Sequence, residues 1–199
     1  MRPPGQFSQE GEDGWIEAYF GSRVGSFLDL GAHDGQSNSN TRALALRGWG
    51  GLCVEASPHV FPLLQQCYPN SPVHCLLAAV VPKVSGVVTL LESPDQVSTV
   101  SPEHAEKWRK ACGAEFAPIE VPGMSVADIL DRYGKMWDLV SIDVEGISAE
   151  VCLAFPWGEM PTSMVVVEHD DRFAELQERL GRVGFRTVGM NSTNLGMAR

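Results

Sequence analysis

The sequence predicts an α/β fold built on a mostly parallel sheet, and three observations carry that expectation. Short apolar runs alternate with helical patterns along most of the chain, the arrangement expected of parallel strands joined by crossover helices. The segment Phe27-Leu28-Asp29-Leu30-Gly31-Ala32-His33-Asp34-Gly35 is an apolar strand breaking into a glycine-bounded turn, which is where open α/β sheets hold nucleotide-like ligands. Near the end, two strand-like runs are separated only by Asn191-Ser192-Thr193-Asn194. A parallel crossover needs a dozen or more residues, so this pair should form an antiparallel hairpin.

The first strand, Ser26 to Leu30, delivers Asp29 and the Gly31 to Gly35 turn. The two glycines let backbone approach a ligand closely. Glycine is missing at His33 and Gln36 and no Gly-Lys-Ser/Thr occurs, so neither a dinucleotide fingerprint nor a P-loop is present. A helix at about Asn40 to Arg47 leads to the second strand, Gly51 to Glu55, whose Glu55 lies 20 residues after Gly35. A carboxylate at that distance can accept both hydroxyls of a ribose; the alternative is a cap on the following helix near Ser57-Pro58, which spans about Val60 to Cys67. The third strand is expected over Val73 to Ala79, and a helix at Val126 to Tyr133 precedes the fourth, Leu139 to Asp143. That strand runs into Val144-Glu145-Gly146, and two carboxylates at a strand's end are costly to bury for packing alone. After a helix at Ser148 to Phe155, the fifth strand, Met164 to Glu168, runs into His169-Asp170-Asp171. Asp170 or Asp171 would serve as N-cap of a helix at Arg172 to Leu180. Glu168 and His169 stand where a parallel sheet presents its active-site loops. The hairpin, Phe185 to Gly189 with Leu195 to Ala198, closes the sheet.

The alternation fails between Gly86 and Phe116, where a strand at Val87 to Leu91 and a helix at Pro102 to Cys112 suggest an insertion that serves either as a substrate wall or as a structural cover. The 199 residues otherwise suit one domain spanning 1–199. With 25 acidic against 15 basic residues and a net charge of -10, nucleic acid is not an expected partner. Lys107-Trp108-Arg109-Lys110 is the densest basic cluster and reads as a solvated helix face. The five cysteines form no C-x-x-C pair and read as reduced core residues. No stretch is long and apolar enough to span a membrane, and Met1-Arg2-Pro3-Pro4-Gly5 lacks the apolar core of a signal peptide, so a cytoplasmic protein is expected and the sequon at Asn191 is discounted.

Taken together, Ser8-Gln9-x-Gly11-Glu12-Asp13, the Asp29 to Gly35 turn, Ser39-Asn40-Thr41, Gly48-Trp49-x-Gly51, Val54-Glu55-Ala56-Ser57-Pro58 and Ile142-Asp143-Val144-Glu145-Gly146 resemble the FkbM-type S-adenosylmethionine-dependent methyltransferases. The resemblance runs from about Phe7 to the C-terminus. It implies a class I methyltransferase (Rossmann-like) fold, a seven-stranded mostly parallel sheet with a C-terminal antiparallel hairpin. It also implies methyl transfer to oxygen on a sugar, glycan or natural product, with S-adenosyl-L-methionine as donor and S-adenosyl-L-homocysteine as product. On this resemblance Asp29, Gly31, Ala32 and Gly35 would serve the methionine part of the cofactor, Glu55 and Ala56 the ribose side, and Ala78 and Ala79 the adenine. His33 replaces the middle glycine of the broader D-x-G-x-G-x-G pattern.

The sulfonium makes its methyl group a good electrophile, so the protein must mainly align an acceptor oxygen and help remove its proton. Asp143, His169 and Glu145 are the candidate catalytic residues. A metal-assisted variant would use Asp143, Glu168 and Asp170 as oxygen ligands for Mg²⁺. The rival readings are a non-catalytic binding or scaffolding protein of the same fold, and a nucleotide-sugar or NAD-dependent enzyme.

Overall fold

In the structure, a computed structural model that describes residues 6–83 and 86–199, α1 (Glu12–Phe20) leads into β1 (Ser26–Leu30), α2 (Arg42–Leu46), β2 (Gly50–Glu55), α3 (Phe61–Cys67) and β3 (Val73–Leu77). Three further strands, β4 (Ala79–Val81), β5 (Gly86–Glu92) and β6 (Ala117–Ser125), enclose α4 (Pro102–Cys112) between the last two. The chain then runs through α5 (Val126–Tyr133), β7 (Leu139–Ile142), α6 (Ser148–Ala154), β8 (Met164–Glu168), α7 (Phe173–Gly181), β9 (Arg186–Met190) and β10 (Asn194–Ala198). The main sheet has seven strands in the order β3-β2-β1-β7-β8-β10-β9, and a second sheet has the order β4-β6-β5. Five strands of the main sheet are mutually parallel, while β10 is antiparallel to both β8 and β9. The α/β class, the seven-stranded mostly parallel sheet and the closing hairpin are therefore as expected.

The strands are apolar on both faces because helices cover both. Leu28, Leu30, Val140, Ile142, Val165 and Val167 belong to one core cluster, whereas their neighbours Phe27, Leu139, Met164 and Val166 belong to another. Successive side chains alternate across a strand, so each run feeds two cores. Each such side chain contributes about 1.5–3 kcal/mol when fully buried.

Three elements differ from expectation. The run Val73 to Ala79 is split: β3 ends at Leu77, Ala78 donates its N–H to the Glu55 carbonyl at 2.9 Å, and Ala79 begins β4 in the second sheet. The insertion is larger than 86–116, since β6 continues to Ser125 and pairs antiparallel with β5 and parallel with β4. Pro118 and Pro122 hide this strand from a sequence reading. Both precede the stretch Gly123–Ser125 where β4 pairs, so their missing N–H groups fall where β6 has β5 alone as partner.

Helix α1 lacks a clear amphipathic stripe and carries Gly14 in its interior, yet it buries Ile16, Phe20 and the charged Glu12. The Glu12 Oε1 accepts hydrogen bonds from Asn191 Nδ2 and Asn194 Nδ2, both at 2.7 Å. Trp15 lies over the glycine pair Gly189 and Gly196, where added Cβ atoms would come within 2.2 and 2.8 Å of its ring. Ser8-Gln9-x-Gly11-Glu12-Asp13 thus begins a helix fastened to the closing hairpin, and Asn191 is a structural asparagine.

All five cysteines are free; Cys53 and Cys152 are core residues, but Cys112 is exposed at the end of α4. Met1 to Gly5, where a signal-peptide core was sought, lie outside the described residues. Among the described residues, no helix is long and apolar enough to cross a membrane.

Candidate functional site

The main sheet reverses direction of strand addition between β1 and β7, which lie side by side. Ligands of open α/β sheets occupy the crevice at the carboxyl ends of such a pair. The turn after β1 is held tightly there: Gly31 and Ala32 both donate to the Val54 carbonyl at 2.9 Å. Gly31 has φ +87°, and a Cβ on it would stand 1.6 Å from the Asp143 carbonyl oxygen. Only glycine allows β1 and β7 to end this close together. Gly35 is required for a different reason. At φ +73° its added Cβ would meet Tyr68 at 2.7 Å and Leu64 at 2.8 Å, so it packs on α3 and does not line the cavity.

Glu55 is the staple of the turn. Its Oε2 accepts from the His33 N–H at 2.9 Å and its Oε1 from the Ser57 N–H at 2.7 Å. The Ala56 N–H also acts on this carboxylate. Burial raises the Glu55 pKa despite these bonds. Asp29 is also buried, and that burial pushes its pKa up to about 6. Thr41 Oγ1 donates to Asp29 Oδ2 at 2.6 Å, while Asn40 Nδ2 donates to Ser141 Oγ at 3.1 Å. Ser39 Oγ accepts from the N–H of Arg42 at 3.1 Å. The Ser39-Asn40-Thr41 segment thus anchors Asp29 and the start of α2.

These groups line one cavity of about 980 Å³, part of it open to solvent. The structure brings Asp29, Gly31, Ala32, Glu55, Ala56, Ala78, Ala79, Asp143 and Glu145 to it, with Val60 and Leu90 as further apolar wall. Asp143 extends from the end of β7, and among the described residues no hydrogen-bond donor meets its carboxylate. Burial, followed by repulsion from Glu168 and Glu145, holds its pKa well above the usual carboxylate range. Glu168 at the end of β8 is pushed up to about 7 by burial, with Glu145 and Asp170 adding to the effect. Its Oε2 accepts from Ser148 Oγ at 2.9 Å, and Ser148 Oγ accepts in turn from the Val144 N–H at 2.9 Å.

His169, Asp170 and Glu168 lie beside a second cleft, not in the first. His169 Nδ1 accepts from the Asp171 N–H at 3.1 Å. Asp170 does not cap α7, which begins after Arg172 without a side-chain cap. It accepts instead from the Ala149 N–H at 2.9 Å, at the start of α6. Among the described residues, no three His, Cys, Asp or Glu side chains are arranged to hold a metal ion. Of the three carboxylates considered from the sequence as Mg²⁺ ligands, Asp143 lines the first cavity and Glu168 and Asp170 the second cleft.

A sequence reading misses His104. It comes from α4, yet its Nε2 lies 2.9 Å from Glu145 Oε2 and accepts from Trp108 Nε1 at 2.7 Å. Its ring covers Gly146 so closely that a Cβ there would stand 2.5 Å away. The basic cluster around Trp108 has the expected solvated face, with Arg109 and Lys110 beside Glu106. Trp108 itself turns inward. The one sequence signal for His104 is its place in a helix begun by Ser101-Pro102.

No curated protein matches the chain in sequence. Among solved structures, the chain is similar to a TehB-like SAM-dependent methyltransferase from Corynebacterium glutamicum, at 13% identity and TM-score 0.44 over 94% of this chain and 85% of the other. It is also similar to a SAM-dependent methyltransferase from Leishmania major, at 13% identity and TM-score 0.46 over 95% of this chain and 69% of the other. The sequence matches the methyltransferase FkbM domain over residues 29–187, from the β1 aspartate through the start of the closing hairpin. The chain belongs to the FkbM methyltransferase family.

Proposed function

We propose that this methyltransferase moves the methyl group of S-adenosyl-L-methionine to a hydroxyl oxygen of a sugar, glycan or small natural product. The observation that carries the reading is the charge of the cavity. Asp29, Glu55, Asp95, Asp143 and Glu145 line it, and among its described lining residues there is no lysine or arginine. A donor carrying a sulfonium and an ammonium group suits such walls, whereas the pyrophosphate of a dinucleotide would be repelled by them.

When bound, the sulfonium supplies an electrophilic methyl carbon and a neutral leaving thioether. The residues of the chain then have distinct tasks. Glu55 offers its remaining acceptor capacity to the ribose diol, and Ala78, Ala79 and Leu90 offer an apolar bed for adenine. Gly31 and Ala32 leave room beside the β1 end for the methionine portion. Asp143, beside Glu168 at the strand ends, is the base that receives the hydroxyl proton, with Glu145 next to it. A carboxyl whose pKa is raised toward neutrality is matched to that task.

Incubation with ¹³C-methyl-labelled donor and a panel of hydroxylated compounds tests this reading. The expected product gains one labelled methyl group with the carbon shift of an O–CH₃. Transfer to nitrogen alone would contradict the acceptor class, and donor binding without turnover on any acceptor would make the chain a binding module.

A further inference from the structure

A second cleft of about 740 Å³ adjoins the donor cavity at the ends of β7 and β8. Asp143 and Glu145 line the donor side, while the next residue, Gly146, and Glu168 line the other. Asp143 and Glu145 on one side and Glu168 on the other thus stand between the two spaces. The charged side chains of the second cleft are Glu103, Glu168, Asp170 and Asp171 against Lys107 alone among its described residues. Ser192 and Thr193 also line it.

His169 supplies an independent sign of a ligand. It is 6% exposed and lines this cleft. Its Nδ1 accepts from the Asp171 N–H at 3.1 Å, so in the neutral ring the proton sits on Nε2. Among the described residues, Nε2 has no hydrogen-bond partner. The backbone has fixed a tautomer that offers a donor, and a nitrogen already carrying its proton cannot take another from a substrate at that atom. His169 thus presents a donor at Nε2.

We infer that this second cleft is the acceptor site, and that it takes a neutral or cationic polyol such as an amino sugar, with one of its oxygens accepting from His169 Nε2–H. The inference rests on the proposed methyl transfer. Acidic acceptors such as uronic acids or phosphorylated sugars would face four carboxylates and are selected against. Neutral hydroxyls gain acceptors from the same carboxylates, and an ammonium gains an ion pair that the cleft already surrounds with oxygen.

The test uses the full chain saturated with S-adenosylhomocysteine, whose own affinity is first measured by calorimetry. Binding of glucosamine, glucose and glucuronate is then followed by saturation-transfer NMR. Glucosamine is expected to bind at least ten-fold more tightly than glucuronate, with glucose between them. His169→Ala should weaken glucosamine and glucose at least five-fold while leaving S-adenosylhomocysteine affinity unchanged. Glu103→Lys, an exposed change on the first turn of α4, should bring glucosamine and glucuronate within about three-fold of each other. Glucuronate binding as tightly as glucosamine, or no binding of any of the three, overturns the inference. So does charge preference unmoved by Glu103→Lys. Failure of S-adenosylhomocysteine itself to bind would instead sink the methyl-transfer reading.

Discussion

Asp143 combines two properties that a packing residue would not keep: its carboxylate has no hydrogen-bond donor among the described residues, and burial with two nearby carboxylates raises its pKa. An ionised group in that position costs folding free energy at neutral pH. Asp143→Asn is therefore expected to raise the melting temperature of the ligand-free protein at pH 7.5 by a few degrees, while lowering kcat about 10²-fold. Calorimetry and turnover measured on one preparation check both parts; a variant less stable than wild type contradicts the electrostatic account. Asp29, Gly31, Glu55 and Asp143 were legible in the sequence because each sits at a strand end with a distinctive spacing. Gly35 was legible as an obligatory glycine, but its reason was not, since the clash it avoids involves Tyr68, 33 residues away. The tautomer of His169 depends on a backbone N–H and is invisible to spacing.

Helix α4 is the element that joins the insertion to the site. Ser101 caps it by accepting from the His104 N–H at 3.2 Å, and Thr99 Oγ1 just before it donates to the Glu145 carbonyl at 2.5 Å. Gly146, at φ +83°, makes room for His104. Gly146→Ala both strains the backbone and pushes His104 away, so a loss of roughly 2–3 kcal/mol is expected. Hydrogen exchange should show faster opening in residues 99–112 while β1, β7 and β8 keep their protection. Uniformly faster exchange in those core strands would mean that Gly146 serves the sheet and not the α4 contact. The parallel strands were legible as short apolar runs buried on both faces, and their crossover helices as periodic apolar stripes. The second sheet was not, because two prolines interrupt β6 and because β4 continues directly from β3 with no turn signal between them.

At the scale of the whole molecule, the buried carboxylates set the pH dependence of stability. Burial raises the pKa of Asp29 to about 6 and of Glu168 to about 7, and raises Glu55 and Asp143 as well. The native state then binds more protons than the unfolded chain, so stability contributed by these groups is fully present near pH 4 and is lost as pH rises through 6 to 7. Glu12 and Asp34 are shifted downward; their contributions are lost only as pH falls below the ordinary carboxylate range. The ligand-free protein should therefore melt at a higher temperature at pH 5 than at pH 7.5, and Asp143→Asn should flatten the difference. A melting temperature that rises from pH 5 to pH 7.5 contradicts this balance. The fold class, the mostly parallel sheet and the closing hairpin were legible at this scale, whereas the strand order and the division into two clefts, the second lined by α4, were not.

The central claim is that the acidic cavity at the ends of β1, β2 and β7 holds S-adenosyl-L-methionine through Glu55. Calorimetric titration of the wild type and Glu55→Gln, each shown to be folded by its melting curve, tests it most directly. The account predicts saturable one-to-one binding to the wild type, at least ten-fold weaker binding to Glu55→Gln, and no binding of NAD. Equal affinities for the two proteins, or preference for NAD, would contradict it.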